Sequence, residues 1–243
     1  MPFPSNLPIS ISGDIFDIFP SYLRGVVVVQ GVENRDTPDV LRDRIRQEED
    51  RLRENFKGQE ILANPGLHSW REAYRQTGIK PSKFRPSIES MIRRVLQGNQ
   101  IPSINTLVDI GNLFSLKYLV PVGGHAIDVV HNEMTLRLAT GEESFFAFGS
   151  DNEEHPEPNE IIFTDGNHVM TRRWTWRQAK HSLTMMSTTA IEFNVDALPP
   201  VVYSDVEKIF SEIAKLVPEF CGGTAYYEIL TRETPNLIVG RKA

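Results

Sequence analysis

Residues 120–130, "VPVGGHAIDVV", decide how the rest of the chain is read. An apolar run breaks at Gly123 and Gly124, which hand the backbone to His125 and, three residues later, to Asp128. Paired glycines let a chain take positive φ or approach another group closely, at an entropic cost. A proton-active side chain on such a hinge is a candidate for chemistry. The plainer alternative is a satisfied core histidine after a helix terminus, with Asp128 as a structural hydrogen-bonding group.

Helical signals lie upstream of this stretch. "INTLVDIGNLFSLKYL" has helical spacing and ends just before the glycines, so His125 is expected to leave a helix. "HSWREAYRQ" stops at Gly78, and "SIESMIRRVLQ" follows Pro86 and stops at Gly98. "DTPDVLRDRIRQEEDRLREN" begins where Asp36 or Thr37 can cap and Pro38 fits the first turn, with a thin apolar stripe at Leu41, Ile45 and Leu52. Before it, "SYLRGVVVVQGVEN" has the β-branched density of a buried strand.

Downstream the pattern is sheet. "EMTLRLAT", "ESFFAFGS", "EIIFTDG", "HVMTRRWTWR" and "TTAIEFNV" are short and rich in β-branched and aromatic residues. In "SDVEKIFSEIAKLVPEFCGG" the spacing of Ser204 and Glu207 suggests a capping box, and Gly222 a stop. Helices first and strands later favour α+β over a doubly wound sheet. The tail "TAYYEILTRETPNLIV" has no clear assignment.

Composition narrows the function classes. The hydrophobic and charged fractions, 40% and 24%, are those of a globular chain that buries a sizeable core. No basic-then-apolar leader and no membrane-length run is visible, so a cytoplasmic location is expected, with no membrane partner. The single Cys221 excludes an internal disulfide and reads as a structural thiol. The six histidines lack metal-ligand spacing, so neither a metal nor a cofactor is expected.

A net charge of −6 argues against a chain-wide grip on nucleic acid, and DNA is not an expected partner. Local patches are another matter. From Arg71 to Arg94 seven basic residues, Arg85, Arg93 and Arg94 among them, face two acids. Arg172, Arg173, Arg177 and Lys180 form a second basic stretch, whereas Glu142 to Glu160 holds seven acids and no base. Each cluster is either a solvated face or a set of phosphate contacts. If "HVMTRRWTWRQ" is one strand, His168, Met170, Arg172, Trp174 and Trp176 share a face, which is either core or a stacking platform beside guanidiniums.

"VDIGNLFSLKYLVPVGGHAIDVV", "MTLRLATGEESF", "NEIIFTDGNHVM" and "TTAIEF" together resemble the editing, tRNA-binding (B3/B4) domain of the bacterial phenylalanyl-tRNA synthetase β subunit, over about Pro102 to Leu198. The resemblance implies a three-layer β/β/α sandwich with an N-terminal helical extension. Its divisions would be a strand and helical extension over 1–100, the editing-type domain over 101–220, and a tail over 221–243 in the same globule. No synthetase catalytic core is present. The implied activity is therefore trans-acting hydrolysis of mischarged aminoacyl-tRNA, engaging the aminoacylated 3′ end.

By the same resemblance His125 would orient or deprotonate water, Asn112 would donate to the oxyanion, and Glu192 would read the amino acid. Gly123, Gly124, Asp128, Trp174 and Trp176 would line the substrate pocket. Arg85, Arg93, Arg94, Arg172, Arg173 and Arg177 would meet RNA. Asn112 precedes His125 by thirteen residues, two more than the family spacing, and "TRRWTWRQAKHS" replaces the family's glycine-rich pocket segment. Tyrosine specificity therefore does not transfer. A pocket that binds tRNA, another RNA or a small ligand without chemistry is the alternative, as is a partner-docking role for the charged helix over 36–56.

Overall fold

The valine run at 26–29 shows no alternation because it has no solvent face. In the computed structural model, which describes residues 6–240, it lies in β2 (Leu23–Gln30), a strand buried from both sides. Around it the order is β1 (Asn6–Ile11), α1 (Gly13–Ile18), β2, α2 (Asp39–Asn55), α3 (Pro65–Gln76), α4 (Ser87–Leu96), α5 (Thr106–Tyr118), β3 (Val122–Ala126), β4 (Met134–Leu138), β5 (Phe145–Phe146), β6 (Glu153–Glu154), β7 (Ile161–Asp165), β8 (His168–Arg172), β9 (Arg177–Gln178), β10 (Ala190–Ala197), α6 (Tyr203–Cys221), β11 (Thr224–Leu230) and β12 (Asn236–Gly240).

Two large sheets pack face to face. One has the order β12-β1-β4-β7-β8-β9, and the other β11-β2-β10-β3. Between them a core of Ile9, Val26, Val28, Leu136 and Phe163 is closed on one side by Trp70, Tyr74 and Trp174. On the outer face of the four-stranded sheet, Val27, Val29, Ile191, Phe193 and Val195 meet the apolar stripes of α2, α4, α5 and α6. The fold is thus α+β, a β/β/α sandwich. β1 and β2 come from the first hundred residues, yet β1 pairs with β4 and β12, and β2 lies between β10 and β11. The unassigned tail supplies β11 and β12, one to each sheet.

Several local expectations are corrected. The residue preceding α2 is Pro38, with no side-chain cap, because the Thr37 hydroxyl is turned inward to donate to Asp109 at 2.7 Å. The first turn of α6 is held by Asp205, whose carboxylate accepts from the Val202 N–H at 3.0 Å, and not by a Ser204–Glu207 box. "HVMTRRWTWRQ" is not one strand: β8 ends at Arg172, and Arg173 and Trp174 take φ of 46° and 62°. That left-handed corner breaks the alternation, so the shared face expected for His168, Met170, Arg172, Trp174 and Trp176 does not exist. Trp174 is core, in edge-on contact with Trp70 and Tyr22, while Trp176 packs against Phe84.

Candidate functional site

The two glycines sit inside strand β3, not on a hinge, and neither has positive φ. What they provide is close approach. A Cβ on Gly123 would lie 2.6 Å from Asn194 Oδ1 of the neighbouring β10, and one on Gly124 would touch Ile191 and Phe193 at 3.4–3.5 Å. Without side chains there, the edge of the four-stranded sheet stays low and leaves a cavity of about 210 Å³ across it. Toward the helices its wall is apolar, from Leu107, Val108, Gly111, Ile191 and Phe193. Toward the other sheet it is polar, with Arg24, His125, Thr171, Asn194 and Asp196. Ser87, at the start of α4, and Trp176 and Arg177 are also in the lining.

His125 is on the polar side, buried at 3% exposure, its ring 5.3 Å from that of Phe163. Both ring nitrogens have partners. Nδ1 lies 3.1 Å from Ser182 Oγ and 3.2 Å from Gln178 Nε2, and Nε2 lies 3.2 Å from Thr171 Oγ1. Gln178 Nε2 also faces the carbonyl oxygens of Gly124 and Ser182, at 2.9 and 3.0 Å, so that atom must be the amide nitrogen, a donor. A proton on Nδ1 would point at that amide donor, so we assign the ring proton to Nε2, opposite the Thr171 hydroxyl. Burial, aided by the Arg24 charge and by His181, pushes the imidazole down to about 3, so the ring is neutral near pH 7. His125 is a weak base and a good donor.

β10 reads "AIEFNVDA", apolar and polar in alternation from Ile191 on, a pattern that on an uncovered sheet would leave the polar positions in solvent. They face the six-stranded sheet instead, and Glu192, Asn194 and Asp196 are all buried. The buried cation that answers them is Arg24 of β2. Its Nη1 donates to Asp196 Oδ1 at 3.0 Å, its Nη2 lies 3.7 Å from Glu192 Oε1, and its guanidinium stacks over Phe163 at 4.1 Å. Tyr22 also donates to Asp196 Oδ1, and Asn194 Nδ2 donates to Asp196 Oδ2 at 2.7 Å. Glu192 has no hydrogen-bond partner on either oxygen, and burial, only partly offset by Arg24 and reinforced by Asp196, pushes its carboxyl up to about 7. Glu192 is not part of the cavity lining; it stands behind it, at Arg24.

Of the other anticipated residues, Asn112 lines the cavity from α5, as do Gly123, Gly124, Trp174 and Trp176. Asp128 does not: its Oδ2 accepts from the Thr189 N–H at 2.6 Å and the Thr189 hydroxyl at 2.9 Å, which ties down the turn ahead of β10. Arg172 and Arg173 are no surface cations. Arg172 is buried in a bidentate pair with Glu160, 2.9 Å on each arm, with Glu154 on its third nitrogen, and Arg173 lies 3.3 Å from Glu160. The acidic stretch neutralises the second basic one internally. Arg177 is half-exposed and lines the cavity. Arg93 and Arg85 gather with Arg71 around the buried Glu89, three guanidiniums to one carboxylate, and the exposed Arg94 donates to the Gln100 carbonyl.

Reading the sequence missed Arg24, Thr171 and Gln178. Arg24 stands inside the strand-like run "YLRGVVVV", where a charge is unexpected unless it answers buried acids, and Glu192 and Asp196 of "IEFNVDA" are those acids. That pairing was the available signal.

A family model described as the B3/4 domain matches residues 69–217. The chain belongs to the B3/4 domain family. The B3/4 match includes Asn112, the glycine edge, His125, Thr171 and the polar row of β10, while Arg24 lies upstream of it. Among solved structures, the B3/4 chain is similar to an N-terminal fragment of the phenylalanyl-tRNA synthetase β-subunit from Pyrococcus horikoshii, with a TM-score of 0.45 and 10% identity over 91% of this chain and 53% of that one. The chain thus spans about half the length of that fragment. Among curated proteins none matches. No helix among the described residues is long and apolar enough to cross a membrane, and no cluster of metal-ligating side chains occurs among them.

Proposed function

We propose that the cavity hydrolyses the ester of a mischarged aminoacyl-tRNA in trans. The observation that carries this reading is a neutral His125 held between Gln178 and the Thr171 hydroxyl, lining a small cavity opened by Gly123 and Gly124. Family membership and the likeness of "GGHAID" and its neighbours to an editing domain support the same substrate class.

The chemistry follows from the donor set. Thr171 Oγ1 accepts the His125 Nε2 proton and keeps one lone pair and its own hydrogen for a ligand. It can therefore orient a water against the ester carbon. Asn112 supplies an amide donor to the oxygen that becomes negative as the water oxygen bonds to that carbon. Collapse breaks the carbon–oxygen bond to the ribose, and the proton released by the water goes to the ribose oxygen. The products are a free amino acid and a tRNA with a free terminal hydroxyl. His125 is the positioning residue in this scheme, since it acts through Thr171. The cations on the tRNA side would be Arg177 at the cavity and Arg85, Arg93 and Arg94 along α4, with Arg172 and Arg173 excluded by their ion pairs.

One observation favours a second reading, a pocket that binds without chemistry: each His125 nitrogen already has protein partners. Deacylation of a panel of correctly and incorrectly charged tRNAs decides between them. Wild type should release the amino acid from at least one mischarged species, with Thr171→Val and His125→Ala slower by roughly a hundredfold, the order of removing one preorganised donor. Salt-sensitive tRNA binding without turnover on any species would leave only the binding reading.

A further inference from the structure

After the protein's own hydrogen bonds are counted, the polar side of the cavity retains a short set of unused groups. Arg24, 1% exposed, has no hydrogen-bond partner at Nε, its Nη2 being directed to Glu192 3.7 Å away, and Asn194, 6% exposed, has none at Oδ1. Both residues line the cavity. The arm of the Asn194 amide that meets the Asp196 carboxylate at 2.7 Å must be the nitrogen, which leaves the oxygen against Gly123 in the cavity wall. Asp196, by contrast, has partners on both oxygens, Tyr22 and Arg24 on Oδ1 and Asn194 on Oδ2. The floor therefore offers a donor from Arg24 and an acceptor from Asn194, both on residues that hold Asp196. Buried groups of this kind left unpaired each cost on the order of 1–3 kcal/mol, so a ligand that pairs both is favoured over one that pairs neither.

Charge then selects among ligands. Arg24 is already balanced by Asp196, and Glu192 is 3.7 Å from it on the far side. A ligand carboxylate would face two acids and the lone pairs of Asn194 Oδ1. A cation would face Arg24. An apolar group would leave both Arg24 and Asn194 unpaired.

We infer that this floor selects, on the amino acid of the ester, an uncharged side chain that both accepts and donates hydrogen bonds, a carboxamide or a hydroxyl, with Arg24 and Asn194 as the specificity-determining pair. The inference rests on the proposed reading of the cavity as an aminoacyl site. Arg24 comes from outside the segment that matches the family model, so this part of the floor belongs to the present chain's own N-terminal region.

The test uses the full chain and four stable probes, the 3′-amides of 3′-amino-3′-deoxyadenosine with asparagine, threonine, leucine and aspartate, measured by calorimetry. The asparaginyl and threonyl amides should bind at least about tenfold more tightly than the other two, because a site with buried polar groups rejects ligands that cannot pair them. Asn194→Leu should abolish that preference, and if the variant does not fold, the wild-type panel decides alone. Equal or tighter binding of the leucyl or aspartyl amide, or binding of none of the four, would overturn the inference. Because the amides cannot be hydrolysed as esters, a preference without deacylation of the matching tRNAs would retain the specificity and refute the catalysis, and deacylation without a preference would do the reverse.

Discussion

Replacing Gly123 and Gly124 by alanine, one at a time, separates the two things that adjacent glycines do at this edge. Neither has positive φ, so alanine meets no backbone penalty and gains roughly 0.4–1 kcal/mol by restricting the unfolded chain. The difference lies in what the new methyl group meets. At 124 it finds Ile191 and Phe193 at ordinary contact distance, so the net change should stay within about 1 kcal/mol. At 123 it lands 2.6 Å from Asn194 Oδ1 and 3.0 Å from Nδ2, and that side chain is not free to yield, since it is tied to Asp196 in a buried network. Displacing it forfeits a hydrogen bond to a charged group, about 1.5–3 kcal/mol, and overpacking adds a further 1–3 kcal/mol or so. After the unfolded-state gain, Gly123→Ala should cost roughly 1.5–5.5 kcal/mol. In urea, with a slope of about 3 kcal/mol per molar for a chain of this size, the midpoint falls by around 1 M, whereas that of Gly124→Ala hardly moves. Equal midpoints for the two variants would refute the claim that Asn194 is held against the glycine edge.

Two further predictions concern charge. Arg172→Ala strands the buried Glu160 and should cost about 3–5 kcal/mol, while Arg94→Ala should leave stability within about 0.5 kcal/mol and weaken salt-dependent tRNA binding, both read by denaturation and by filter binding. The pH dependence of stability should have two limbs. His125 titrates near 3 when folded and near 6.5 when unfolded, so its contribution is present above about pH 6.5 and is lost as pH falls toward 3, by up to about 1.4 kcal/mol per pH unit. Glu192, raised to about 7, is the opposite case: its contribution is present below about pH 4.5 and is lost as pH rises through 7. Between about pH 4.5 and 6.5 the two slopes cancel, and His125→Gln should leave only the Glu192 limb, with stability declining from about pH 4.5 to 7.

What the sequence made legible follows from which patterns report a single environment. Helices α3, α4 and α5 were visible because capping, glycine stops and one-sided apolar stripes are local signals, and the buried strand at 26–29 was visible because an unbroken β-branched run fits no half-exposed position. The motif "GGHAID" pointed to the cavity, and His125, Asn112 and the glycines do meet there. The role of the glycines was not legible, because close approach depends on Asn194, seventy residues away, and not on their neighbours in sequence. The burial of Glu192 was not legible, because alternation reports only that two faces differ; it cannot reveal that the polar face is covered by a second sheet and served by Arg24. The same holds for Arg172 and Arg173, basic in composition but neutralised by Glu160 from the acidic loop. Trp174 and Trp176 misled because a left-handed corner at 173–174 interrupts a stretch whose composition reads as strand.

The central claim is that His125 works as a neutral donor with its proton on Nε2, handed to Thr171. Long-range ¹⁵N–¹H correlation spectra of the imidazole rings, recorded on the folded protein across neutral and mildly acid pH, measure this directly. The account predicts one ring in the Nε2–H form that keeps its shifts down to about pH 5, well below the ordinary histidine midpoint, and that changes tautomer populations in Gln178→Leu. A His125 ring that titrates near 6.5, or one protonated on Nδ1, would contradict it.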